Sequence, residues 1–246
     1  MHFAHHRYRD QSVALLTQHG KEKVLAPVLA LALGCRVELV SGYDTDLLGT
    51  SEGCFGPDPF AGMFPWNVEL LIFIDDIRAI EVIGVAQGSA KSAHLLTASW
   101  AEAESFAQQA GFPEHLLLLR PDSEDDPRIH KGIASWAELE TAFVWALKQS
   151  ASGQVFLEID RRAYANPTRM KNIRGAAEDL AKKLCSLCPA CGTPGFWIVE
   201  RVPGLRCADC DEPTRETCAE VYACLKCAYR ETRERSNRQY AEPRYC

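Results

Sequence analysis

The stretch "SVALLTQHGKEKVLAPVLALALGCRVELV" (12–40) holds two kinds of apolar run, and their reading decides the fold. "SVALLT" (12–17) is short and aliphatic and is closed by a Gly20 turn, as a buried strand is. "VLAPVLALAL" (24–33) is too long for a strand and stops at Gly34, which marks a helix end. "RVELV" (36–40) then reads as a second strand. A β-α-β unit of this kind predicts parallel strands joined by a right-handed crossover.

Working outward, residues 41–67 are rich in Gly, Pro and Asp without periodicity, and read as a loop. "ELLIFID" (69–75) and "IEVIGVA" (80–86), separated by a short polar turn, predict a hairpin joined to the sheet. Two helices start alike, "SWAEAESFAQQAG" and "SWAELETAFVWALK". Ser99 and Ser135 are N-caps, and Glu102 and Glu138 complete capping boxes. "LLLLR" (116–120) and "QVFLEI" (154–159) read as strands on either side of the acidic loop "PDSEDDP" and the second of these helices. The last helix begins at "NPTRM", with Asn166 as N-cap and Pro167 at the first helical position. The expected fold class is α/β: a mixed, mainly parallel sheet flanked by helices over residues 1–184, then a small C-terminal zinc-ribbon module over residues 185–246.

The 246 residues suffice for one such domain and a small module. No apolar run reaches the length of a membrane span, and "MHFAHHRYRDQ" lacks the features of a secretory signal. These features predict a cytoplasmic chain whose thiols stay reduced. From Cys185 onward nine Lys or Arg balance nine Asp or Glu, so the first 184 residues carry the whole net charge of −6. That argues against nucleic acid as a partner, because phosphate contacts need a clustered basic excess. The cluster Arg230, Arg233, Arg235 and Arg238 is broken by Glu231 and Glu234 and reads as a solvated face. His2, His5 and His6 read as a polar arm.

Eleven cysteines are unevenly placed. Cys188-x2-Cys191, fifteen residues, then Cys207-x2-Cys210 is a four-thiolate zinc spacing. Cys224-x2-Cys227 repeats the pair, and Cys246 adds one more thiol. Two tetrahedral sites with sulfur ligands are predicted, and sequential and crossed pairing both satisfy the spacing. Cys185 and Cys218 are candidates for the ligand missing from the second. Dithiol chemistry is the rival reading of C-x-x-C, but three pairs without a thioredoxin-like context favour structural zinc. A redox sensor built on Cys35 or Cys54 would lack a partner at dithiol spacing.

Three polar clusters could carry chemistry. In "TQHGKEK", Thr17, His19 and Lys21 lie between the first strand and helix, where backbone N–H groups can receive an anion. In "YDTDLLGTSEGCFGPDP", Asp44, Asp46, Glu52 and Asp58 could hold Mg²⁺, or simply build turns. In "FLEIDRRAYANPTRM", alternation sets Glu158 and Asp160 on one side of a strand. Arg161, Arg162, Asn166 and Arg169 follow around a helix start. The competing reading is structural: an Asp160–Arg162 or Glu158–Arg169 ion pair that pins the loop.

"ALLTQHGKEKVLAP", "DTDLLGTSEGCFGPDP", "IHKGI", "LEIDRRAYANPTRM" and "CPACGTPGF" together resemble an uncharacterised bacterial family, a domain of unknown function ending in a zinc ribbon. The resemblance runs nearly end to end, with Asn-Pro-Thr-Arg-Met its most specific part, and implies fold and metal rather than a reaction. Members carry Thr, Met and His where Ile159, Arg161 and Tyr164 stand here. They have a further segment where Thr50 runs straight into Ser51, and a full Cys pair where this chain has Cys246. The order strand, "T-x-H-x-K", helix, Glu-Gly loop is also similar to the inosine-triphosphate pyrophosphatase class, with Lys21 and Glu52 as the corresponding residues.

The functional expectation is a protein that binds, and can hydrolyse, a phosphorylated, nucleotide-like small molecule. Thr17, His19, Lys21, Arg162, Asn166 and Arg169 would hold the ligand. Glu52, Glu158 and Asp160 would hold Mg²⁺ or a water. Cys188, Cys191, Cys207, Cys210, Cys224, Cys227 and Cys246 would hold structural zinc. The alternative is a non-catalytic protein-interaction module with a structural zinc ribbon.

Overall fold

A computed structural model describes residues 7–40, 47–236 and 239–245. His2, His5, His6, Asp44, Asp46, Arg238 and Cys246 lie outside them. The opening unit forms as its sequence dictates: β1 (Ser12–Leu16), α1 (Glu22–Leu33) and β2 (Arg36–Leu39), with β1 and β2 parallel. Gly34 ends α1 in the left-handed region (φ 68°), its N–H donating to Ala30 O.

The residues read as a loop are largely a strand. β3 (Leu47–Pro57) runs without interruption through Thr50 and Ser51, parallel to β1 and antiparallel to β4 (Pro65–Asp75), which pairs with β5 (Ile80–Ser89). Gly49, Gly53 and Gly56 hid β3 by breaking its apolar alternation. Gly53 is there for a packing reason: a Cβ on it would stand 2.2 Å from the Glu69 carboxylate oxygens. The sheet order is β2-β1-β3-β4-β5.

A second sheet holds β6 (His94–Thr97), β7 (Leu117–Pro121), β8 (His130–Ile133) and β9 (Val155–Ile159), in the order β6-β9-β7-β8. All its pairings are antiparallel. α2 (Trp100–Ala110) links β6 to β7, and α3 (Trp136–Gln149) links β8 to β9, so two split β-α-β units interleave. Both serines cap as expected, Ser99 Oγ accepting from Glu102 N and Ser135 Oγ from Glu138 N, but the boxes are not closed: Glu102 accepts from Thr97 Oγ1 and Glu138 from Ala134 N.

The α/β class therefore stands, with two corrections. There are two sheets before the cysteine tail rather than one, and parallel pairing is confined to β1 with β2 and β3. The physical reason is connection length: short turns after β3 and β4 fold the chain straight back, whereas a parallel neighbour needs a crossover.

α4 (Pro167–Cys185) lies with α1 on the inner face of the first sheet. Leu25, Leu29 and Leu33 of α1 pack with Leu15, Leu71, Phe73, Leu180 and Leu184 in one buried cluster. A Cβ on Gly84 would stand 2.3 Å from Ala176 O, so this glycine sets how closely α4 approaches β5. After α4, β10 (Trp197–Pro203), β11 (Thr217–Ala223) and β12 (Arg230–Glu234) form a third, antiparallel sheet. Gly195 N donates to Lys183 O (3.1 Å) and Phe196 N to Ser186 O (3.0 Å), holding this part directly on the end of α4. Among the described residues no helix is long and apolar enough to cross a membrane.

Candidate metal centre and anion site

The cysteine pairs sit on tight turns of one design. Cys188 N donates to Thr193 O (2.8 Å), Cys207 N to Glu212 O (2.9 Å) and Cys224 N to Tyr229 O (3.1 Å). In the first two the fifth residue is left-handed, Gly192 at φ 70° and Asp211 at φ 60°. In the first and third turns both sulfurs of the pair face one point.

The pairing is crossed. Cys188, Cys191, Cys224 and Cys227 bring four Sγ atoms within 4.8 Å of one another. Cys188 and Cys227 sulfurs are 3.7 Å apart, Cys191 and Cys224 sulfurs 3.5 Å. A zinc–sulfur bond of about 2.3 Å spaces tetrahedral ligand sulfurs roughly 3.8 Å apart, so the set fits a four-thiolate metal centre compatible with zinc. Backbone N–H groups of Lys226 and Cys227 already point at Cys224 Sγ. The Thr193 hydroxyl and N–H lower the Cys191 thiol to about 6. The Tyr229 N–H favours the Cys227 thiolate, but burial and the three neighbouring sulfurs together push that thiol up to about 12. A divalent cation removes this conflict, because every ligand can then ionise. Cys207 and Cys210 stand on the remaining turn, and Cys246, the further predicted ligand, lies outside the described residues.

The second site is built around a residue the sequence reading passed over. Glu69 is on the inward face of β4 with Leu71 and Phe73, and is 0% exposed. Arg169 Nε donates to its Oε1 at 2.7 Å, and Asn67 Nδ2 to the same oxygen at 3.0 Å. Lys21 Nζ stands 4.0 Å from Oε2, and Oε2 has no hydrogen-bond partner among the described residues. Lys21, 5% exposed, instead donates to Ser51 O at 3.0 Å. Burial lowers its pKa, Glu69 and Glu52 oppose that shift, and Arg169 adds to it.

Lys21 occupies the N-cap position of α1, where the helix dipole already disfavours a cation. Buried Lys21, partly buried Arg169 and a helix N-terminus thus share Glu69 as their directly paired carboxylate, with Glu52 also acting on Lys21. Nearby, Thr17 Oγ1 is also buried without a partner among the described residues.

The loop after β9 closes the site. Asp160 is buried, and its carboxylate accepts from Arg162 N and Nε at 3.0 Å each. Arg162 lies over the Tyr164 ring at 4.8 Å, and Tyr164 N donates to His19 O at 2.9 Å. Gly132 would place a Cβ 3.3 Å from Arg162 Nη2, and Gly20 would place one 3.2 Å from Tyr164 Cβ. Arg161 and Arg169 both lie over the Phe55 ring, at 5.9 and 5.4 Å. Four stretches distant in sequence, 17–21, 51–55, 130–132 and 160–169, therefore meet.

A family model described as a domain of unknown function (DUF6671) matches residues 36–246. The chain belongs to this family. The matched span contains Glu69, the loop after β9 and all the paired cysteines; β1, α1 and Lys21 precede it. No curated protein and no solved structure matches the chain.

Within this family member the sequence-predicted residues divide. Lys21 and Arg169 are brought together at Glu69, whereas Arg162 is held by Asp160 and His19, exposed, meets the loop through its backbone oxygen. Asn166 is the N-cap of α4, its Oδ1 accepting from Arg169 N and its Nδ2 donating to Lys91 O (2.9 Å), so its side chain builds the loop. Glu52 pairs in register with Leu70, and Gly53 with Glu69, so Glu52 points to the opposite face of the sheet from Lys21's partner. Glu158 pairs with Arg161 at 3.1 Å, and Asp160 with Arg162. Asp160–Arg162 is the pair expected of a pinned loop, whereas Arg169 pairs with Glu69 instead of Glu158. Asp58 builds a turn, its carboxylate accepting four backbone N–H groups from Phe60, Ala61, Met63 and Phe64. Cys54 is exposed, and Cys35 is buried in the core, where burial pushes its thiol up.

Glu69 was missed because "ELLIFID" reads as a hydrophobic strand. The available signal was Glu69 at the same alternation phase as Leu71 and Phe73.

Proposed function

We propose that this protein binds the phosphate group of a small phosphorylated molecule at the Lys21–Arg169–Glu69 cluster, and that zinc at Cys188, Cys191, Cys224 and Cys227 is structural. The observation that carries the reading is the convergence of Lys21, buried at a helix N-terminus, and Arg169 on one directly paired carboxylate, Glu69. Such a group of donors can receive an anion, and charge gathered in this way marks functional sites. A phosphate oxygen bearing a proton could also use Glu69 Oε2, the carboxylate oxygen left unpaired. Turnover is not part of the proposal, because Glu52, Glu158 and Asp160 do not form one carboxylate set. Closed thiolate coordination leaves the metal no open position for chemistry, so its contribution is to folding.

Thermal melting with inorganic phosphate and with ribose 5-phosphate, each with and without Mg²⁺, tests the reading. Phosphate compounds at 100 times their dissociation constant stabilise by roughly 2.7 kcal/mol. Lys21→Met leaves Glu69 and Arg169 as a balanced pair, so it keeps the ligand-free melting temperature and loses the phosphate response. The reading fails if neither compound shifts melting at millimolar concentration, or if Lys21→Met responds as wild type does.

A further inference from the structure

Between β3 and β4, Asp58 holds the turn 58–64 rigid through its four backbone N–H bonds, and Asp58 N donates to Phe64 O at 2.8 Å. That rigid turn presents large apolar side chains to solvent: Met63 is 74% exposed and Phe64 64%. Holding such groups in water at fixed positions is unfavourable for a free-standing turn, and marks a surface that something covers.

The two side chains line a cleft of about 370 Å³ together with Phe55, Ser92, His94 and Arg161. One wall is apolar and aromatic, and the other carries a hydroxyl, an imidazole and a guanidinium. The volume lies in the range of small-molecule sites. The cleft borders the phosphate cluster, since Arg161, which lines it, and Arg169 both lie over Phe55. Arg161 has the most exposed side chain of the cations there, at 51%, so it can leave Glu158 for a ligand.

From this adjacency we infer that the phosphorylated ligand carries a planar base, making it a nucleotide. The base lies in the cleft against Phe64 and Met63, with Ser92 and His94 facing its polar edge and Arg161 bridging to the phosphate. This inference rests on the phosphate reading and adds the ligand class to it. A turn held by four hydrogen bonds meets a base with little ordering cost, and stacking tolerates any base because each has a π-face.

Calorimetric titration with AMP, GMP and ribose 5-phosphate separates the two claims. If the inference holds, the nucleotides bind roughly tenfold more tightly than ribose 5-phosphate. The double variant Met63→Ala/Phe64→Ala, made at exposed positions, removes that preference and leaves ribose 5-phosphate affinity unchanged. Equal affinity for nucleotide and ribose 5-phosphate overturns the base-binding inference while the phosphate reading survives. Persistence of the preference in the double variant also overturns it. Absence of binding by all three compounds overturns both. Self-association that the double variant abolishes would give the turn to a second copy of the chain and overturn the inference.

Discussion

The cysteine centre and the Lys21–Glu69–Arg169 cluster are both polar sites, but they are assembled in opposite ways. Each half of the metal centre is made by one tight turn, so its geometry is set over six residues, and folding need only bring two such turns together. The charge cluster has no local half. Glu69 and Arg169 are 100 positions apart, and Lys21 reaches them from a different turn. A bound cation would balance the charge of the four sulfurs of the metal centre. In the cluster, Lys21 and Arg169 meet at the Glu69 carboxylate, and the proposed phosphate binding rests on that convergence.

The sharpest way to break the comparison is at the metal. Structural zinc in small modules supplies folding free energy of order 10 kcal/mol, so Cys188→Ser or chelation should unfold the region of β10, β11 and β12. Metal analysis beside circular dichroism reads this out, and zinc-free protein with unchanged melting would refute it. Because thiolates are the ligands, zinc retention should fall as pH falls and protons compete for sulfur.

At the charge cluster the expected effect is smaller. Glu69→Ala leaves Lys21 and Arg169 buried without a counter-charge, which costs about 3–5 kcal/mol. Gly53→Ala forces a methyl onto the Glu69 carboxylate and should cost about 1–3 kcal/mol by overpacking. Urea denaturation measures both, and tolerance of Glu69→Ala within about 1 kcal/mol would show that the carboxylate does not hold the two cations. Lys21→Met, in contrast, leaves the Arg169–Glu69 pair in place and should be tolerated, so the two variants together report which cation the carboxylate holds.

The smallest effect belongs to the turn. The Ala61 N–H and the three other backbone donors hold the Asp58 carboxyl well below its ordinary value of 3.8. A depressed carboxylate stabilises the fold fully above the unfolded pKa and loses that contribution as pH falls toward the folded one. The melting difference between wild type and Asp58→Asn should therefore be constant above about pH 5 and shrink below pH 4. A difference independent of pH would remove the carboxylate from the turn's support.

What was legible in the sequence was whatever a few consecutive residues decide. The opening β-α-β unit, the Ser99 and Ser135 N-caps, the Asn166–Pro167 start of α4 and the three C-x-x-C turns depend on local backbone chemistry, and each stands where it was read. β3 was illegible because its glycines answer to neighbours on other strands, Gly53 to Glu69 and Gly49 to Leu15. Crossed pairing of the cysteines, the division into two sheets and the choice of Glu69 over Glu52 as the partner of Lys21 were decided only by tertiary structure. The physical reason is range. A cap or a turn is complete within about one helical turn of chain, whereas a strand's register sets which of two adjacent carboxylates faces inward, and register is fixed by the whole sheet. Alternation along β3 and β4 offers two faces, and only packing against α1 and α4 makes one of them the inside.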